Sequence, residues 1–127
     1  MTIADEIWNR ALAEPADELG PGDRALAAML LVHGLVMNGG VHHALESVDA
    51  DEWSAAIAGY AYFGCDDVAA FFRGAGNDPM LTAWTDETEM SANERYETLV
   101  PNDAHLVARF EDVFRERGDQ FAPVAQP

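Results

Sequence analysis

Lysine is absent, and seven arginines face 23 Asp and Glu residues, leaving a formal net charge of -16. That deficit argues against direct nucleic-acid binding, because such affinity rests on neutralising phosphates with Lys and Arg. A surface this anionic attracts basic proteins or cations instead. Cysteine occurs once, at Cys65, which excludes an intrachain disulfide and a thiolate cluster. No apolar run reaches the roughly 18 residues of a membrane span, and no cationic, apolar leader is present. The expectation is a soluble, cytoplasmic protein that does not engage membrane. H-E-x-x-H, the D-x-D-x-D-G calcium loop and a long glycine-rich phosphate loop are also missing, so no metal and no cofactor is predicted.

What is present is helix-forming. The chain has 127 residues, 49% of them hydrophobic, which suits one domain spanning 1–127 with a sizeable core. The organising stretch is Ala25 to Met37, ALAAMLLVHGLVM, in which eleven of thirteen residues are hydrophobic. A segment apolar on every side predicts a helix buried on every side. Asp23 is placed to cap it, and Asn38-Gly39-Gly40 is placed to stop it and turn the chain sharply.

Elsewhere the pattern repeats on a smaller scale. Ile3, Ile7, Trp8, Ala11 and Leu12 predict one face of a first helix ended by Pro15, and residues 41–47 predict a short helix. Asp49 and Glu52 form a D-x-x-E capping box ahead of Trp53, Ala56, Ile57, Tyr60 and Ala61, with Gly64 closing that helix. Asp66 is expected to cap a short helix burying Val68, Phe71 and Phe72 and ended by Gly74 and Gly76. Pro79 can open a helix through Trp84, while Asp86, Glu87 and Glu89 predict a solvated loop or helix edge. Ser91 and Glu94 suggest another capping box before Pro101, and a last helix from about Ala104 to Arg117 buries Leu106, Val107, Phe110, Val113 and Phe114. Residues 119–127 read as a frayed tail. The fold class is all-α: a compact bundle of about six or seven helices around a buried central one.

Catalytic chemistry finds little support. Adjacent His42 and His43 diverge by about 100° on a helix, His33 reads as a hydrogen-bonded core residue, and only a chance meeting of His42 or His43 with Cys65 would make a polar constellation. The protein is therefore expected not to be an enzyme. Its carboxylates cluster instead: Asp49, Asp51 and Glu52 at one helix start, Asp66 and Asp67 at the next, Asp86, Glu87 and Glu89 later. Acids at helix starts satisfy free N–H groups and the helix dipole. Spread over several helices they also form an array resembling a row of phosphates, which a DNA-binding protein could take for duplex DNA.

Three motifs carry a resemblance: M-N-G-G at residues 37–40, G-Y-A-Y-F-G at 59–64 and D-D-V-A-A-F-F at 66–72. Across residues 20–75, and more loosely through the C-terminal helix, the chain resembles a bacterial family of DNA-mimic-like domains whose studied representative is a Neisseria protein. The resemblance implies an all-helical acidic protein, a homodimer, and capture of a transcriptional regulator. Asn38, Gly39 and Gly40 match the family motif as fold-building residues, whereas the sequence after them, Val41 to Glu46, departs from the family pattern. Three functions stay open: an acidic interaction protein that occupies a regulator's DNA site, an immunity or antitoxin-like inhibitor of a basic nuclease, and a helical domain whose acidity is salt adaptation.

Overall fold

Caps and breakers divide the chain close to where the sequence places them. The computed structural model describes residues 1–13, 15–77 and 84–124. Among these lie seven helices and no strand: α1 Ile3–Ala13, α2 Pro21–Gly39, α3 Val41–Ser47, α4 Ala50–Tyr62, α5 Asp66–Asn77, α6 Asp86–Leu99 and α7 Asp103–Glu116, followed by a 3-10 turn at Gly118–Gln120.

The centre is the crossing of α2 with α4, flanked by α1, α3 and α5. Gly59 makes that crossing close: a Cβ there would lie 2.5 Å from the carbonyl oxygen of Ala25. Leu26, Met29 and Val32 of α2 share one buried cluster with Ala56 and Tyr60 of α4, Val68 and Phe72 of α5, and Leu106 and Phe110 of α7. Each large apolar side chain so buried contributes about 1.5–3 kcal/mol. The indole N–H of Trp53 donates to the Phe72 carbonyl at 3.0 Å, tying α4 to α5.

Several helix ends behave as the sequence predicts. The Asp49–Glu52 capping box is formed in both directions. Gly64 takes φ +76°, its N–H bonding the Ala61 carbonyl while that of Cys65 bonds Tyr60, so the last carbonyls of α4 are satisfied. Gly40 takes φ +95° between α2 and α3, and its N–H donates to Val36 at 2.7 Å. A Cβ on Gly39 would strike the His43 ring and one on Gly40 the Asn93 amide, so this pair lets three helices meet.

Other expectations are corrected. Asp23 is not the N-cap of α2: Pro21 opens that helix after Gly20, and Asp23 at the third position accepts from the Gly20 N–H. Nor is α2 buried all round, since Leu31 is 44% and Met37 62% exposed on sides that no neighbouring helix covers. Ile3 and Leu12 are likewise exposed because only the Ile7 side of α1 meets the core. Asp66 is the first residue of α5, whose start follows Cys65, and α5 runs on past Gly74 and Gly76. The Ser91–Glu94 box is not used, because Thr85 caps α6 six residues earlier through a reciprocal pairing with Thr88. Asp86, Glu87 and Glu89 are therefore helical. The suggested helix from Pro79 falls, up to Ala83, outside the described residues.

The end of the chain is also held. Phe121 is buried among Phe63, Phe110 and Phe114. Beside it the Asp23 carboxylate, 1% exposed, accepts from Arg10 at 2.7 Å and from the Ala122 N–H at 2.7 Å, while Arg10 also donates to the carbonyls of Ala122 and Pro123. A buried carboxylate persists only with such pairing. So 119–124 is a strap across the start of α2 rather than a frayed tail; residues 125–127 lie outside the described residues.

Candidate protein-interaction surface

The three acidic clusters sit at helix starts, where the helix dipole and unpaired N–H groups favour negative charge. At the start of α4, Asp49 and Glu52 face solvent while also bonding each other's backbone N–H, and Asp51 is exposed. At the start of α5, Asp66 and Asp67 are exposed, with one Asp67 oxygen accepting from the Val68 N–H. At the start of α6, Asp86 and Glu87 are exposed, whereas Glu89 is half-buried and bonded to His42. Asp51, Asp66, Asp86 and Glu87 have no ion-pair partner among the described residues.

Packing sorts these clusters into two ends. α5 returns antiparallel to α4, so Gly76 meets Trp53 near the α4 start, while Asp66 and Asp67 lie a helix length away, about 18 Å along the axis. The second half of α5 also borders the start of α6: Phe71, Gly74 and Ala75 line one depression with Trp84, Thr88 and Ser91, and Arg73 and Gly76 line another with Asp49 and Trp53. The clusters of α4 and α6 thus share one end of the molecule, and that of α5 occupies the other.

The polar residues that sequence raises for chemistry go elsewhere. His33 is a hydrogen-bonded core residue: its Nδ1 lies 2.6 Å from the Tyr96 hydroxyl, itself 2.6 Å from Tyr60, and its Nε2 lies 2.7 Å from Asp103. Burial raises the ionisation of Tyr60 and Tyr96 well above the ordinary tyrosine range, so both hydroxyls stay protonated. Cys65 is buried between α4 and α5 and its thiol is pushed up to about 11 by burial, Arg109 only partly opposing this. A thiol in that state is almost wholly protonated at neutral pH, which suppresses its nucleophilicity. His42 is engaged with Glu46, Glu89 and Trp84, and Cys65 with the Phe63 carbonyl, so they form no common constellation. Among the described residues no three or more His, Cys, Asp or Glu side chains are placed to hold one metal ion.

Sequence reasoning missed the His42 cluster, although the i,i+4 spacing of His42 and Glu46 is a usable signal. Asp103 carries no such signal, because it lies 70 residues from His33 and no local spacing links the two.

Fold and surface together define an acidic all-α protein in which part of the unpaired charge sits at helix starts. Residues 17–125 match the model of the DMP19-like protein family, and the chain belongs to that family. No curated protein and no solved structure matches it. The match reaches beyond the 20–75 stretch and takes in every helix except α1. Membership supports a general DNA-mimic or protein-interaction role. No helix among the described residues is long and apolar enough to cross a membrane.

Proposed function

We propose that this chain is a non-enzymatic, single-domain interaction protein that binds a basic partner through its acidic helix starts, and that it occupies the surface with which a DNA-binding regulator holds DNA. Family membership and the formal charge of -16 both support this reading. The observation that carries it is the exposure of Asp51, Asp66, Asp86 and Glu87 without compensating cations among the described residues. Such charges speed encounter with a cationic surface and select its sign, while fitted contacts must supply specificity. Asp49, Glu52 and Glu89 are assigned to the end that carries Asp51, Asp86 and Glu87, and Asp67 to the opposite end with Asp66.

The test is affinity capture from the source cell's extract at low and moderate salt, followed by a challenge with duplex DNA. The expected result is one DNA-binding protein, retained less as salt rises and released by DNA. A partner held equally well against saturating DNA overturns the mimicry, and a salt-sensitive assortment without a saturable partner overturns the specific interaction.

A further inference from the structure

His42, on the first turn of α3, has a carboxylate on each ring nitrogen: Glu46 Oε1 is 2.6 Å from Nε2 and Glu89 Oε1 is 2.7 Å from Nδ1. Trp84 stacks on the same ring, with centroids 4.6 Å apart and planes 8° from parallel. A neutral imidazole has one N–H, so in this geometry its other nitrogen would set a lone pair against a carboxylate. The imidazolium donates to both, and the indole face attracts it further. A second tie between these helices, the Val41 N–H donating to Asn93 Oδ1 at 2.9 Å, lies one turn further along α6.

We propose that His42 is a proton-operated pin. In its charged form it fastens Glu46 of α3 to Glu89 of α6 beneath Trp84; when the proton leaves, the pin opens. Opening frees the first turn of α6, which the Asn93 tie does not hold, and raises the charge of the His42–Glu46–Glu89 set from -1 to -2. Among the described residues, the ionised groups facing the ring are Glu46 from α3 and Glu89 from α6, with Asp86 and Glu87 at the same end of α6. The adjoining end of α2, Met37 to Gly39, contributes no ionisable group. The pin follows from this geometry whatever partner the protein binds.

The test follows the His42 ring by 15N NMR through a pH titration while recording Trp84 emission and amide exchange in the first turn of α6. Both ring nitrogens carry protons in the pinned state. As His42 loses its second proton, Trp84 emission rises, because a charged imidazole quenches a stacked indole. Exchange at residues 88–90, taken relative to the intrinsic rate at each pH, then quickens about tenfold, as for loss of one charge-assisted hydrogen bond. Trp84→Phe assigns the emission among the three tryptophans. His42→Gln abolishes the coupled transition, and Glu89→Gln abolishes the exchange step while leaving His42 titratable. Emission and exchange that stay flat while His42 titrates overturn the pin, as does a transition that survives in His42→Gln.

Discussion

The buried polar groups and the acidic helix starts use the same chemistry to opposite ends. In the interior most donors meet an acceptor, the exceptions among the described residues being Arg10 Nε and the Tyr62 hydroxyl. With His33 protonated at Nε2, Tyr60 donates to Tyr96, Tyr96 donates to Nδ1, and Nε2–H donates to Asp103. A second ring proton, at Nδ1, would reverse that chain and leave the Tyr60 hydroxyl proton without an acceptor. Asp23 is saturated in the same way by Arg10, Gly20 and Ala122. At the helix starts, acids outnumber cations and carboxylates such as Asp51 and Asp86 face water. Removing a polar group is therefore expected to cost stability in the first region and, under the proposed function, binding in the second.

The largest stability loss is expected where the charge is most buried. Asp23→Ala takes the carboxylate from Arg10 and from the Ala122 N–H and so loosens the 119–124 strap, and breaking such a pair costs about 3–5 kcal/mol. Urea unfolding measures it, and an unchanged midpoint would mean that the strap and pair are not formed in solution.

Next comes Tyr96→Phe, which leaves the His33 Nδ1 and the Tyr60 hydroxyl without their partner. The expected loss is about 1–3 kcal/mol. Double-mutant analysis with Tyr60→Phe should then show strong coupling, whereas additive losses would dissolve the network into independent contacts.

A smaller effect is expected at alkaline pH. Cys65, Tyr60 and Tyr96 all hold their protons more tightly when folded. The unfolded chain therefore releases protons first, and stability falls as pH rises from about 9, where an unfolded thiol ionises, through about 11 for Cys65. The urea midpoint followed against pH checks the sign. Below that window Cys65 should resist a thiol reagent in the native protein and react fully once unfolded.

The smallest stability effect belongs to the exposed acids. Asp51→Asn, Asp86→Asn and Glu87→Gln together should lower the unfolding midpoint only slightly, by the lost helix-dipole interactions, while weakening capture of a basic partner and flattening its salt dependence. A folded triple variant that binds undiminished would erase the contrast between the two regions.

Most helix positions were legible in the sequence because caps, breakers and apolar spacing act over a few residues. The Asp49–Glu52 box, Gly40 and Gly64 each do locally what their residue types predict. The misses share a cause. At α6 an earlier cap, Thr85, pre-empted Ser91, and at α2 the third-position carboxylate rather than the N-cap was the functional acid. The acidic clusters were legible as sequence neighbours, but not the end of the molecule each would occupy, which depends on α5 folding back along α4.

The sequence by itself determined the helical class, the anionic surface and the M-N-G-G junction, since these rest on composition, periodicity and the conformational freedom of glycine. Tertiary structure alone decided that Asp23 would bind Arg10 and the C-terminal strap, that His33 would reach Asp103 across a sequence separation of 70, and that His42 would lie between two carboxylates. Those contacts depend on how helices distant in sequence cross, and short-range pattern carries no record of that.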